Sequence, residues 1–146
     1  MNKNIRIYTD GACRGNPGPG GWGAILIYES YRKEIHGGSL LTTNNIMELM
    51  AVIEALKIIK FTSKIIVTTD SKYVKDGITK WIFNWKQKNW KTANKKSVKN
   101  KDLWIELDNL VNKHRIQWEW VKGHSGHEEN ERADTLANQG IDDLYK

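Results

Sequence analysis

The sequence has little of what marks secreted and membrane proteins. Its single cysteine, Cys13, cannot form an internal disulfide, which excludes a small disulfide-bonded fold and agrees with a reducing compartment. No apolar run approaches the roughly 20 residues that span a bilayer, and the first residues do not form a signal-peptide pattern. We therefore expect a cytoplasmic protein that has no membrane segment.

Acidic residues are also fewer than basic ones. The 23 lysines and arginines outnumber the 17 acidic residues, which gives a net charge of +6 and suits a polyanionic partner. With 146 residues, 39% of them hydrophobic, the chain has the size and composition of one globular domain. We expect a single domain over residues 1–146, and a monomer because no sustained heptad pattern is present.

Hydrophobic periodicity predicts a mixed arrangement of strands and helices. A period of two predicts strands over residues 4–9, 22–28, 32–41, 64–69 and 115–121. Helical spacing predicts helices over residues 43–59, 71–80, 81–88, 101–113 and 128–140, with a loop over 89–99. Short connections between the first three strands predict an antiparallel meander, and the helix before the fourth predicts a parallel pairing. The expected fold is α/β with α+β mixed character: a five-stranded mixed sheet flanked by helices.

Four acidic residues fall where these elements could bring them to one point: Asp10, Glu48, Asp70 and Asp134. Taken singly, each has an ordinary interpretation, as a turn residue, the partner of Asn45 in a capping box, a helix N-cap and a solvated helix residue respectively. Clustered carboxylates repel one another, so a cluster would require protons or divalent cations. Oxygen ligands alone favour Mg²⁺ or Mn²⁺. The pattern leaves both interpretations open.

Lysines and tryptophans are interleaved between Trp81 and Lys101. The ordinary interpretation is a solvated lysine face over core tryptophans. The interleaving favours nucleic-acid binding instead, because ammonium groups suit phosphates and indole faces suit sugars or bases.

Five long motifs together resemble one known family, and they cover nearly the whole chain. They are TDGACRGNPGPGGWGAIL, TTNNIMELMA, TTDSKYVKDGITKWI, NWKTANKKSVKNKDLW and WEWVKGHSGHEENERADTLA. This set is similar to the bacterial type I group of ribonuclease H. The resemblance implies a ribonuclease H fold and an endonuclease that hydrolyses the RNA strand of RNA–DNA hybrids with water, leaving 5′-phosphate and 3′-hydroxyl ends. It also implies two Mg²⁺ ions, with Mn²⁺ as a substitute.

The resemblance also implies roles for individual residues. It makes catalytic metal ligands of Asp10, Glu48, Asp70 and Asp134, and gives His124 a part in proton transfer or product release. It places at the RNA minor groove Gly11, Cys13, Asn16, Asn44 and Asn45, with Lys72 where relatives often have glutamine. It assigns to the DNA strand Thr43, Asn100, Trp81, Trp85, Lys86, Lys88 and Lys91, whereas Leu41 stands where an arginine is frequent beside the phosphate pocket.

Other functions remain open on the residues alone. His124 and His127 suggest zinc, but no further nearby histidine or cysteine completes a tetrahedral site. Another nuclease on the same fold is a second possibility, because a fold does not determine its substrate. A noncatalytic hybrid-binding module would use the basic segment but has no need of four acids. A structural interaction domain explains neither feature.

Overall fold

The computed structural model describes residues 4–122 and 127–146, and its described part contains one five-stranded sheet. The strands are β1 (Asn4–Cys13), β2 (Gly18–Tyr28), β3 (Tyr31–Thr42), β4 (Lys64–Thr69) and β5 (Arg115–Trp120). Their order is β3-β2-β1-β4-β5. The first three strands pair antiparallel, and β4 pairs parallel with both β1 and β5. The predicted meander and mixed sheet are confirmed.

Helices connect and cover these strands. They are α1 (Asn44–Ile58), α2 (Lys72–Asp76), a π-helical turn (Gly77–Trp81), α3 (Ile82–Gln87), α4 (Lys101–Val111) and α5 (Glu128–Asp142), followed by a 3₁₀ turn (Asp143–Tyr145). The two adjacent helices predicted over residues 71–88 form one continuous helical segment that contains the π turn. None of the described helices has the length and apolar character needed to cross a membrane.

The first two strands extend further than predicted, to residues 4–13 and 18–28. Three of the glycines that suggested a loop, Gly18, Gly20 and Gly21, belong to the sheet, where Ala12 pairs with Gly21 and Cys13 with Gly20. Gly21 allows a helix to approach the sheet, because a Cβ at this position would lie 2.0 Å from the carbonyl oxygen of Ala137 in α5. The glycine-rich pattern therefore marks close helix–sheet packing.

Apolar side chains are buried on both faces of the sheet. One cluster joins the sheet to α1 and α4 and includes Ile7, Leu49, Val67, Trp104 and Leu107. A smaller cluster of Ile25, Ala133 and Leu136 lies beneath α5. The two clusters fix α1 and α5 on the sheet, and these helices carry two of the four acids.

The contact between Gly77 and Trp104 provides a test of this packing. A Cβ at Gly77 would lie 1.9 Å from the Trp104 ring, which is fully buried. We expect Gly77→Ala to lower the free energy of unfolding by about 1–3 kcal/mol, because the ring has no space to move. Urea unfolding measures this loss. Asn84→Ala, at an exposed position of the same helical segment, is the control, and a Gly77→Ala midpoint equal to the parent would contradict the packing.

Candidate active site

Three carboxylates meet just beyond the point where the parallel pairing of β1 and β4 ends. Asp10, Glu48 and Asp70 each contribute one oxygen to a group in which all oxygens lie within 4.8 Å of one another. Asp10 is 2% exposed and Glu48 is 7% exposed. The structure therefore brings together three of the four acids that the sequence singled out.

The parallel pairing of β1 and β4 explains why two of these acids meet. The pairing ends at Tyr8 and Thr68, so Asp10 and Asp70 each lie two residues beyond the same pair. The N-cap of α2 is Ser71, whose hydroxyl oxygen accepts a hydrogen bond at 3.1 Å from the amide three residues later. Asp70 is therefore not the helix cap, and its carboxylate takes part in the cluster.

Glu48 reaches the cluster because α1 lies very close to β1. A Cβ at Gly11 would lie 2.5 Å from the backbone nitrogen of Glu48, so a larger residue at this position would push the helix away. Thr43 caps the helix by accepting a hydrogen bond from the amide of Ile46 at 3.2 Å. The capping box between Asn45 and Glu48, which was the ordinary interpretation, is therefore wrong.

Asp134 joins the cluster from α5 on the other side. Its carboxyl is close enough to that of Asp10 for a hydrogen bond between them. The helix approaches β2 closely, since a Cβ at Gly23 would lie 2.6 Å from the carbonyl oxygen of Ala133. The side-chain amide of Asn138 donates to the backbone carbonyl of Asp134 at 3.0 Å. The fourth predicted acid therefore lies beside Asp10, at the edge of the cluster of three carboxylates.

Burial and the negative charges of neighbouring acids raise the pKa values of Asp10 and Glu48. Burial, together with the negative charges of Glu48 and Asp70, raises the pKa of Asp10 to about 9. Burial is also the main cause that raises the pKa of Glu48 to about 8, and hydrogen bonds from Asn44 and Gly11 oppose it only in part. Without a cation, the folded protein therefore keeps protons on these groups at neutral pH.

The donor set fits a hard divalent cation. The cluster offers carboxylate oxygens alone, which Mg²⁺ and Mn²⁺ prefer over softer ligands. Oε2 of Glu48 is buried and receives no hydrogen bond from any described atom. A buried carboxylate oxygen without a donor is costly unless a proton or a cation compensates it.

The asparagines predicted to bind substrate form a surface beside the acids. Oδ1 of Asn16 accepts a hydrogen bond from the backbone amide of Asn44 at 3.0 Å, which joins the β1–β2 connection to the start of α1. Asn45 is exposed on the same first turn. Cys13 ends β1, with its Sγ 3.5 Å from the carbonyl oxygen of Thr42. Their contacts with a substrate remain predictions.

A second surface carries the aromatic residues. Trp81, Trp85, Lys99 and Tyr73 surround a hollow of about 340 Å³, and the rings of Tyr73 and Trp81 pack edge to face with centroids 5.6 Å apart. Nδ2 of Asn100 donates to the Tyr73 hydroxyl at 3.0 Å. We call the four lining residues the tryptophan surface. No hydrogen bond within the described segments joins Asn100 to Thr43, so their shared phosphate contact stays a prediction.

The predicted lysines differ in their surroundings. Nζ of Lys86 lies 3.2 Å from the Asp108 carboxylate, which neutralises part of its charge. Lys88, Lys91 and Lys72 are exposed. His124 lies outside the described residues.

Comparison with known proteins identifies the family. A family model described as RNase H matches residues 2–142. The chain belongs to the ribonuclease H family. It is 63% identical over 142 residues to a protein named Ribonuclease H from Alcanivorax borkumensis, covering 97% of this chain and 94% of that protein. It is 59% identical over 140 residues to Ribonuclease HI of Neisseria meningitidis serogroup B, covering 96% and 97%.

Solved ribonuclease H structures share the fold. LC9-RNase H1, described as a type 1 RNase H with the type 2 active-site motif, superposes with a TM-score of 0.89 at 34% identity over 98% of this chain and 74% of that one. LC11-RNase H1 in complex with RNA/DNA hybrid gives a TM-score of 0.71 at 26% identity over 97% and 99%. The resemblance to ribonuclease H is therefore confirmed, and the chain is an enzyme of the hydrolase class.

Tyr73 is a residue of the tryptophan surface that the sequence patterns did not single out. Its hydroxyl accepts hydrogen bonds from Asn100 and from Nε1 of Trp104, both at 3.0 Å. The signal in the sequence was its spacing of eight residues from Trp81, which puts both rings on one side of a helical segment. Tyr73 therefore links the tryptophan surface to the buried core.

The raised pKa values predict how stability depends on pH in the metal-free protein. Unfolded carboxyl groups lose their protons near pH 4, whereas Asp10 and Glu48 in the folded state keep theirs to about pH 9 and about pH 8. The folded state therefore binds more protons between these limits, and the free energy of unfolding falls as pH rises. The slope approaches at most about 1.4 kcal/mol per pH unit for each group.

We expect Asp10→Asn to flatten this slope and to raise stability at pH 8 in EDTA, because an asparagine side chain, unlike Asp10, does not have to take up a proton when the chain folds. Chemical denaturation at a series of pH values measures the slope. Asp142→Asn is the control, because Asp142 lies on the surface in an ion pair with Arg14. Superimposable pH profiles for the parent and Asp10→Asn would show that Asp10 does not titrate as inferred.

Proposed function

We propose that this chain is an endoribonuclease that hydrolyses the RNA strand of RNA–DNA hybrids, with water as nucleophile and 5′-phosphate and 3′-hydroxyl ends as products. The convergence of three carboxylate oxygens within 4.8 Å carries this proposal. Family membership supports it, as does a solved relative whose described complex contains an RNA/DNA hybrid. We also propose that it acts as a single-domain cytoplasmic monomer.

The acids would hold two Mg²⁺ ions, for which Mn²⁺ would substitute. In this proposal Asp10 contributes to both ions, Asp70 and Asp134 to one, and Glu48 to the other. Bound there, the ions would supply compensation of the buried charge, a lower pKa for water and stabilisation of the charged phosphate. The protein's own contribution is to hold the four carboxylates at fixed positions on β1, α1 and α5 and directly after β4.

Recognition of RNA requires contact with 2′-hydroxyl groups. The orientation of the Asn16 side chain is set, because its Oδ1 already accepts the amide of Asn44. Its Nδ2 is therefore the group left to donate to a 2′-hydroxyl oxygen. We assign the same minor-groove role to Gly11, Cys13, Asn44, Asn45 and Lys72.

The DNA strand would follow the tryptophan surface. Indole faces suit the sugars of the strand, and Lys88 and Lys91 suit its phosphates. Thr43 and Asn100 would hold one DNA phosphate. We retain His124 as the residue that assists proton transfer or product release, a role suited to an imidazole that titrates near neutral pH.

Cleavage assays with matched substrates test the proposal. With Mg²⁺, the protein should cut an RNA–DNA hybrid but not duplex DNA, single-stranded RNA or duplex RNA, and a chelator should stop the reaction. Asp10→Asn should abolish cleavage, whereas Asp142→Asn should retain the parent rate because its carboxylate lies on the surface. Hybrid binding without any cleavage by the parent would support a noncatalytic module, and near-parent activity of Asp10→Asn would refute the assigned centre.

The basic segment gives a separate prediction. Lys88→Gln with Lys91→Gln should weaken hybrid binding and reduce the slope of log Kd against log salt by roughly 0.7–0.9 for each phosphate that the protein no longer neutralises. Adding Lys86→Gln should change the slope less, because Asp108 already pairs with Lys86. Binding isotherms at several salt concentrations measure the slope. Lys33→Gln with Lys60→Gln removes two exposed charges elsewhere, and an equal effect of that pair would mean that only net charge matters.

A further inference from the structure

A basic hollow borders the carboxylate site, and among its described lining residues Asp70 and Lys72 alone also belong to the proposed catalytic and hybrid contacts. It has a volume of about 530 Å³, and its charged and aromatic lining residues are the four lysines Lys72, Lys75, Lys80 and Lys122, the two acids Asp70 and Asp76, and Trp120. Asp70 belongs to both the hollow and the carboxylate cluster. A ligand in the hollow would therefore lie directly beside the reacting strand.

The segment from α2 through the π turn separates this hollow from the tryptophan surface. Lys72 and Lys75 are three residues apart and line the basic hollow, whereas Tyr73 and Trp81 line the hollow of the tryptophan surface. Residues three apart share a helix face, so the segment presents cations on one side and aromatic rings on the other. The DNA strand has been assigned to the aromatic side.

The lysines of the basic hollow are available for an anion. Lys75 and Lys122 are exposed, and neither has a carboxylate within ion-pair distance in residues 4–122 and 127–146. Lys80 has only one such partner, Asp76, at 3.6 Å. A solvated lysine face would account for the exposure of these lysines, but not for the concave shape of the hollow or for the Trp120 indole that lines it. Cations beside an aromatic ring in a groove are typical of single-stranded nucleic-acid binding.

We propose that the basic hollow binds a single-stranded RNA tail that continues from the cleaved strand beyond the carboxylates. The proposal rests on the proposed function, because it takes the strand at Asp70 to be RNA. Lys75 and Lys122 bind phosphates of the tail, and the Trp120 indole contacts a base. An enzyme with this site favours hybrids that end in unpaired RNA over blunt hybrids.

Binding in EDTA tests the site without requiring catalysis. Fluorescence anisotropy compares a blunt hybrid with hybrids that carry an RNA tail on the 5′ side, an RNA tail on the 3′ side, or a DNA tail. The parent should bind one of the two RNA-tailed hybrids roughly fivefold more tightly than the blunt one, the low end of the contribution of one stacked base. The tail should add about 1.4 to the salt slope, the value for two single-strand phosphate contacts.

Two double variants decide whether the hollow is responsible. Lys75→Gln with Lys122→Gln should remove the tail advantage and its salt slope, and should leave the affinity for the blunt hybrid within about twofold. Lys33→Gln with Lys113→Gln removes the same charge from exposed positions outside the hollow and should keep the advantage.

Three outcomes would overturn the proposal: no tail advantage in the parent, an equal loss in both double variants, or an equal gain from a DNA tail. Cleavage of the blunt hybrid with Mg²⁺ reports on the proposed function separately. Failure of that reaction alongside a tail advantage in EDTA would reject the nuclease and keep the binding site.

Discussion

Burial of several carboxylates at one point is the constraint on which the rest of this structure depends. Asp10 and Glu48 are nearly inaccessible, and the negative charges of Asp70 and Asp134 oppose the ionisation of both. Such an arrangement costs free energy in the absence of a cation, so it persists only where other interactions determine the backbone. The apolar clusters on both faces of the sheet provide those interactions, because they fix the helices independently of the acids.

Close helix–sheet contact is the means by which the fold meets this constraint. Gly11 lets α1 approach β1, while Gly21 and Gly23 let α5 approach β2 from the other face. Added Cβ atoms at these positions would lie 2.0–2.6 Å from the helix backbones, so larger residues would move the helices outward. Glu48 and Asp134 would then withdraw from Asp10. The glycines thus act on the site through distance, although they carry no functional group.

The sequence patterns predicted the strands and helices well, but they did not establish that the four acids converge, for physical reasons. Periodicity reports which face of an element is buried, so the strands and helices followed from it, and the pairing directions followed from the connections between strands. Glycine carries no periodic signal, so the predicted first strand stopped at residue 9 and the glycine-rich residues 18–21 were predicted as a break, although residues 10–13 and 20–23 pair with each other. Convergence of the acids depends on the end of the β1–β4 pairing and on helix approach, which spacing does not encode. The resemblance to a family, rather than the pattern alone, identified all four together.

The role of Ser71 shows how one local choice affects several surfaces. Because the Ser71 hydroxyl caps α2, the Asp70 side chain does not serve as the N-cap and takes part in the carboxylate cluster. The helix that begins there turns Lys72 and Lys75 toward one hollow and Tyr73 toward another. Tyr73 in turn is held by the buried Trp104 through a hydrogen bond to its hydroxyl. The contact between Tyr73 and the buried Trp104 therefore fixes the position of α2 relative to the acids. The tryptophan surface and the basic hollow, which lie on either side of α2, are thereby held at fixed positions relative to the bond that would be cleaved.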